Sequence, residues 1–155
     1  MSSDRDLSIG SGLDGKRIIV TGASSGIGKA TALLLERVGA SVIAIGLDKD
    51  RLSQLEAEFS QPARHLILSV DLSGEDCADQ IMNATLARFG GVDAVILAGA
   101  TLKRKDLKDV TVADWDYQFN TNLRSTFLIA RAVGEHLKES KRAGSILTFT
   151  SPSWS

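Results

Sequence analysis

The sequence predicts an α/β fold, a doubly wound parallel sheet with strands in the order 3-2-1-4-5. Three observations carry this. Short apolar runs alternate with segments of helical periodicity along the chain. The first run ends at a glycine-rich turn, Thr21-Gly22-Ala23-Ser24-Ser25-Gly26-Ile27-Gly28, which opens into a helical pattern. The alternation marks a parallel sheet covered on both faces, and right-handed crossovers then suggest this strand order.

Lys16–Thr21 is β-branched and apolar, as a buried strand requires. Gly26–Val38 follows as a helix, with Ile27, Ala30, Leu34 and Val38 on one face and Gly39 closing it. Ser41–Ile45 is the second strand. Asp50–Phe59 reads as a polar helix with Leu52, Leu55 and Phe59 facing inward, and Pro62 lies in the connection after it. Leu66–Val70 is the third strand. Ser73, with Asp76 three residues on, is the expected cap of a helix carrying Ala78, Ile81, Met82, Thr85 and Phe89 up to Gly90-Gly91. Ala94–Ala98 is the fourth strand. The longest helical pattern spans 111–139, capped by Thr111, with Trp115, Phe119, Leu123, Thr126, Ala130, Val133 and Leu137 in one stripe. Gly144 ends it, and Ser145–Thr150 is the fifth strand.

The chain has 155 residues, enough for one domain with a core. Residues 1–14 are polar and are expected to form a flexible tail, leaving 15–155 as the domain. A net charge of −1 gives no field for nucleic acid or an anionic membrane. Lys103, Arg104, Lys105 and Lys108 cluster, but Asp106 and Asp109 interrupt them, so a solvated loop is expected. The single cysteine, Cys77, rules out an intrachain disulfide. No apolar run reaches membrane-spanning length, and a cytoplasmic location is the expectation. His65 and His136 stand apart in sequence and read as structural or exposed, and no metal site is expected.

The glycine turn carries the chemistry. Gly22 permits a sharp exit from the strand. Gly26 lets the backbone approach a pyrophosphate without a Cβ in the way. Gly28 allows close helix–sheet packing. The free amides at the helix start, including that of Ile27, form an anion site, and Ser24 and Ser25 add hydroxyl donors. A Walker A loop is excluded, because Ile27 stands where its second glycine belongs and Lys29 is followed by Ala30. The turn therefore marks a dinucleotide-binding Rossmann domain.

The spacing Thr-Gly-x3-Gly-x-Gly resembles that of the short-chain dehydrogenase/reductase family, and the resemblance runs from about residue 15 to the C-terminus. It implies an NAD(P)-dependent oxidoreductase acting on an alcohol or carbonyl compound. Family members binding NAD carry an acidic residue where this sequence has Gly46. Leu47 stands where NADP-dependent members often place arginine. The missing carboxylate tilts the expectation to NADP over NAD, with Asp48 either restoring an NAD-type contact or capping the next helix. Asp71 and Leu72 match the residues that face adenine, although Asp71 also suits a helix cap. The family's Asn-Asn-Ala-Gly is replaced by Leu97-Ala98-Gly99-Ala100, which keeps small residues at Ala98 and Gly99 and loses the bracing asparagine. Asn122 matches the helix asparagine that holds water in a proton relay, and a hydrogen bond to nearby backbone is the alternative. Ser151 matches the catalytic serine that polarises the substrate carbonyl.

The family's general acid is a tyrosine with a lysine four residues later, which lowers a tyrosine pKa from about 10. That pair would follow Ser151, and this sequence ends at Ser155. The only tyrosine, Tyr117, is followed four residues on by Thr121. The resemblance therefore implies the cofactor half of an oxidoreductase, lacking the family's C-terminal strands and helices, with strand 5 left as a bare edge. Turnover by this chain alone is not expected, and the full-length form is expected to be a homo-oligomer. The alternative is a non-catalytic nucleotide-binding or scaffolding protein on the same fold.

Overall fold

The computed structural model describes residues 12–151, so most of the expected N-terminal tail lies outside the described residues. Five parallel strands form one sheet in the order β3-β2-β1-β4-β5, as the alternating pattern predicts. They are β1 (Arg17–Thr21), β2 (Ser41–Gly46), β3 (Leu66–Ser69), β4 (Ala94–Leu97) and β5 (Ser145–Thr148). The helices are α1 (Gly26–Arg37), α2 (Lys49–Glu58), α3 (Cys77–Phe89), α4 (Val112–Phe119) and α5 (Ser125–Glu139).

Strand side chains alternate between two cores, as the pleat requires. Ile19, Ile43, Ile45 and Val95 meet Ile81 of α3 and Ile129, Val133 and Leu137 of α5 on one face. Ile18, Val20, Val42 and Ala44 meet Ala32 and Leu35 of α1 and Leu55 and Phe59 on the other. Leu13 also packs against that second cluster. β5 is the exposed edge, with Ile146 and Leu147 open to solvent. Among the described residues no helix is long and apolar enough to cross a membrane.

Two helix faces differ from their sequence patterns. α1 buries Gly28, Ala32 and Leu35, while Ile27 and Leu34 are exposed. A Cβ on Gly28 would run into the Gly22 carbonyl. This contact sets the rotation of α1 and turns its small residues inward. The 111–139 pattern is α4 and α5 joined by a π turn, Asn120–Arg124. The extra residue rotates α4 relative to α5. Val133 and Leu137 stay buried, but Trp115, Phe119 and Leu123 of the expected stripe face outward. Thr111 caps α4 in a reciprocal capping box with Asp114. Ser73 does not cap α3; Asp76 occupies the N-cap position without a side-chain cap bond, its carboxylate instead accepting from Gln80 Nε2 at 2.9 Å.

The lower ends of β1 and β4 are latched by Asp93, which is 7% exposed. Its Oδ2 accepts from Arg17 Nε at 2.8 Å and from the Arg17 amide at 2.9 Å. Its Oδ1 accepts from Arg17 Nη2 at 3.1 Å and Arg142 Nη2 at 2.7 Å. The Arg17 hydrogen bonds outweigh burial and hold this carboxyl well below the usual range. A second buried polar pair sits beneath α1. His65 Nδ1 accepts the Val42 amide at 3.1 Å, so Nε2 carries the proton facing Glu36 Oε1 at 3.3 Å. Burial lowers the His65 pKa and the Glu36 contact opposes this only in part.

Asp93→Ala leaves Arg17 without its partner and is expected to cost about 3 kcal/mol in urea unfolding. His65 is neutral in the fold and gains a proton more readily once unfolded. Stability is therefore expected to fall as pH drops below about 6.5, the ordinary histidine value. His65→Asn does not titrate and is expected to flatten that pH profile, whatever its own cost, in melts between about pH 7.5 and pH 5.5.

Candidate functional site

A groove of about 190 Å³ lies beyond the carboxyl ends of β1–β4. Gly22, Ser24, Gly46, Leu47, Asp71, Leu72 and Gly99 line it, joined by Val70, Ala100, Thr101, Tyr117 and Thr121. The strand pairing continues past the strands at this end. The Ala23 amide donates to Ile45 O at 2.9 Å and the Val70 amide to Gly46 O at 2.8 Å. The loops after β1 and β3 thus start out held by the sheet itself.

The glycine turn is shaped by backbone contact. Gly22 has φ +69°, and a Cβ there would stand 2.7 Å from Ala98 O and 2.8 Å from Gly99 Cα. Ala98 thus acts through its backbone, packed beneath the turn. Gly26 has φ +53° and nothing within 4 Å of a Cβ position, so the turn opens outward there. Ser25 is the N-cap of α1 but makes no side-chain cap bond, and the first turn holds no acidic residue. The amides of Gly26, Ile27 and Gly28 have no intrahelical acceptor by position. The result is a helix N-terminus with free amides beside the groove, an arrangement that can receive an anion.

The other walls are set by local hydrogen bonds. Gly46 leaves room for Ser24 and Leu52; a Cβ would lie 3.0 Å from Ser24 Cβ and 3.1 Å from Leu52 Cδ2. Asp48 caps α2 by accepting the Arg51 amide at 3.0 Å. Asp71 Oδ1 accepts from the Ser73 amide at 2.9 Å and Ser73 Oγ at 2.8 Å, closing the loop after β3. Gly99 donates its amide to Thr21 Oγ1 at 3.0 Å. A Cβ on Gly99 would stand 2.5 Å from Leu72 Cδ1.

Asn122 lies in the π turn, and both polar ends of its side chain are used. Oδ1 accepts the Thr101 amide at 2.7 Å and Nδ2 donates to Thr101 O at 2.8 Å. Its side chain braces the loop after β4. The Asn122 carbonyl accepts Thr126 Oγ1 at 3.1 Å. Ser151 is exposed beyond the end of β5, and no hydrogen bond joins it to Asn122 among the described residues.

A family model described as short chain dehydrogenase matches residues 16–153. The chain belongs to the short-chain dehydrogenase family. It is 31% identical over 144 residues to the (2S)-[(R)-hydroxy(phenyl)methyl]succinyl-CoA dehydrogenase subunit BbsD of Thauera aromatica, covering 92% of this chain and 58% of that protein. It is 32% identical over 139 residues to an uncharacterized oxidoreductase of Staphylococcus epidermidis, covering 89% of this chain and 59% of that one. A 3-ketoacyl-(acyl-carrier-protein) reductase from Brucella melitensis, solved with NADH, superposes with a TM-score of 0.80 at 29% identity, covering 90% of this chain and 58% of that one. A short-chain dehydrogenase from Bacillus anthracis gives 0.82 at 28% identity, covering 88% and 57%. The chain thus spans somewhat over half the length of these relatives.

Where the resemblance places the family's Asn-Asn-Ala-Gly, this family member fills the space differently. Gly99 makes room for the Leu72 side chain. Thr21 and Asn122 hold the loop through its amides at Gly99 and Thr101. Tyr117 is a wall of the groove, with Lys103 Nζ 5.0 Å from its ring centroid. Tyr117 and Thr121 line the groove although the apolar stripe of the sequence does not include them. Their spacing of four, on the helix side away from Trp115 and Phe119, was the available signal. The basic loop is partly neutralised, since Asp114 accepts from Lys105 Nζ at 2.6 Å and lies 3.6 Å from Lys103 Nζ.

Asn122→Ala removes both bonds to Thr101 and is expected to destabilise the chain by about 1–2 kcal/mol in urea unfolding. Asn122→Asp is expected to cost a similar amount, because a carboxylate accepts from the Thr101 amide but cannot donate to its carbonyl.

Proposed function

We propose that the chain is the NAD(P)-binding part of an oxidoreductase that moves hydride between a nicotinamide and an alcohol or carbonyl carbon. The observation that carries this reading is the uncapped N-terminus of α1, with Gly26 open at φ +53° beside the groove. Amides of Gly26, Ile27 and Gly28, with the Ser24 and Ser25 hydroxyls, would hold the pyrophosphate. Asp71 and Leu72 would face adenine, with Gly46 and Leu47 beside its ribose. Ala98 and Gly99 would let the dinucleotide backbone pass close to the sheet. When bound, the nicotinamide supplies the hydride donor or acceptor.

Asn122 would act through its carbonyl, since its side chain is committed to Thr101. That carbonyl has a lone pair beyond the one taken by Thr126 and could hold a relay water. Ser151 would donate a hydrogen bond to the substrate oxygen. The 155-residue chain holds no tyrosine with a lysine four residues later, so turnover by it alone is not expected. NADP is favoured over NAD because Gly46 and Leu47 place no carboxylate at the end of β2 and Asp48 is engaged as a cap. Small-molecule substrates and a cytoplasmic setting fit the same reading, as does homo-oligomerisation of a longer form.

Gly26→Ala tests the carrying observation. Nothing crowds a Cβ there, so the fold is expected to survive with about 1 kcal/mol of left-handed strain. Binding of NADPH and NADH, read by fluorescence titration, is expected to weaken by about tenfold or more, because the methyl enters the phosphate cradle. Wild-type failure to bind either nucleotide would reject the proposal. Tighter binding of NADH than NADPH would reject the NADP preference alone.

A further inference from the structure

The groove has two walls after the strands, the loop after β3 and the loop after β4, and the π turn reaches both. Asn122 holds Thr101 in the loop after β4. Two residues on, Arg124 points to the other wall. Its Nη2 donates to the Ser73 carbonyl at 2.5 Å and its Nη1 lies 3.5 Å from Glu75 Oε1.

Ser73 is thereby fixed from both sides. Its amide and hydroxyl donate to Asp71 Oδ1, and its carbonyl accepts from Arg124. Among the described residues no other side chain from outside residues 71–75 donates a hydrogen bond to them. Arg124 Nε is buried without an acceptor. A buried donor left unpaired is costly, so the guanidinium holds this place for what its other nitrogens gain. An ion pair alone does not explain it, because Glu75 is almost fully exposed and the contact is long.

We infer that Arg124 is a positioning residue for nucleotide specificity, clamping Ser73 from the π turn so that Asp71 and Leu72 present a fixed wall to adenine. The inference rests on the dinucleotide reading above. Side chains two positions apart in the π turn thus brace both walls of one groove.

The test uses the full chain with Arg124→Met, which keeps the alkyl packing and removes every donor, and Arg124→Lys, whose ammonium can still reach the Ser73 carbonyl. Hydrogen exchange at residues 73–75 is expected to quicken in R124M while exchange of the Thr101 amide is unchanged. The Kd for 5′-AMP is expected to rise about tenfold, the worth of one charge-assisted hydrogen bond, with that for inorganic pyrophosphate changed less than about twofold. R124K is expected to recover most of the AMP affinity. Should R124M not fold, Arg124→Gln, too short to reach Ser73, is read by the same measurements.

Unchanged exchange at residues 73–75 would overturn the clamp. Equal weakening of AMP and pyrophosphate would reduce Arg124 to a general structural role and overturn the inference. A wild type that binds AMP, with the variant binding it equally well, would reject the role of Arg124 alone. A wild type that binds neither AMP nor NADH nor NADPH would reject the dinucleotide reading itself.

Discussion

The structure depends on backbone touching backbone where a Cβ would not fit. Gly28 presses against the Gly22 carbonyl, and Gly22 presses against Ala98 and Gly99. These contacts join the start of α1, the end of β1 and the end of β4 into one packed layer. They bring the free amides of α1 to the strand ends, and they fix the rotation of the helix. An alanine at position 22 would meet carbonyl and Cα atoms, which cannot move aside as a flexible side chain can. The turn is therefore both the chemical feature of the chain and the point from which its geometry is set.

The same contact explains what was legible in the sequence. The strands could be read because β1 and β2 are buried on both faces, so Ile18–Val20 and Val42–Ile45 appear as unbroken apolar runs. Their order followed from the crossovers. The faces of the helices were harder. At the start of α1 the residues nearest the sheet, Gly28 and Ala32, are small because close approach there excludes large side chains; Leu35 is buried further along, and the bulky Ile27 and Leu34 lie outside. An amphipathic stripe reports where large apolar groups lie, and here closeness selected against size.

The π turn hid the second face. A continuous helix through 111–139 would align Trp115 and Phe119 with Val133 and Leu137. Instead the Ser125 amide reaches back five residues to Asn120 O, and Ser125 Oγ takes the Thr121 carbonyl at 2.6 Å. The hydroxyl replaces the amide that α geometry would have sent there. A serine at this point stabilises the wider turn, but serine occurs in many helices, so the pattern does not announce itself. The residues placed on the groove by this rotation, Tyr117 and Thr121, were the ones the stripe concealed.

Leu97-Ala98-Gly99-Ala100, where the resemblance places the family's Asn-Asn-Ala-Gly, shows how a strand end can be braced without asparagine. Bracing a strand end needs donors and acceptors for the amides that leave the sheet. Here Thr21 accepts from Gly99, and Asn122 closes a two-bond ring with Thr101. Between them Ala98 needs no polar side chain, and a small one suffices where Gly22 passes overhead. Gly99 then yields its side-chain volume to Leu72. Ala98 and Gly99, which look like erosion when read one position at a time, are compatible with an intact groove. The space each leaves is used by a neighbour, and the hydrogen bonds come from side chains already at the site.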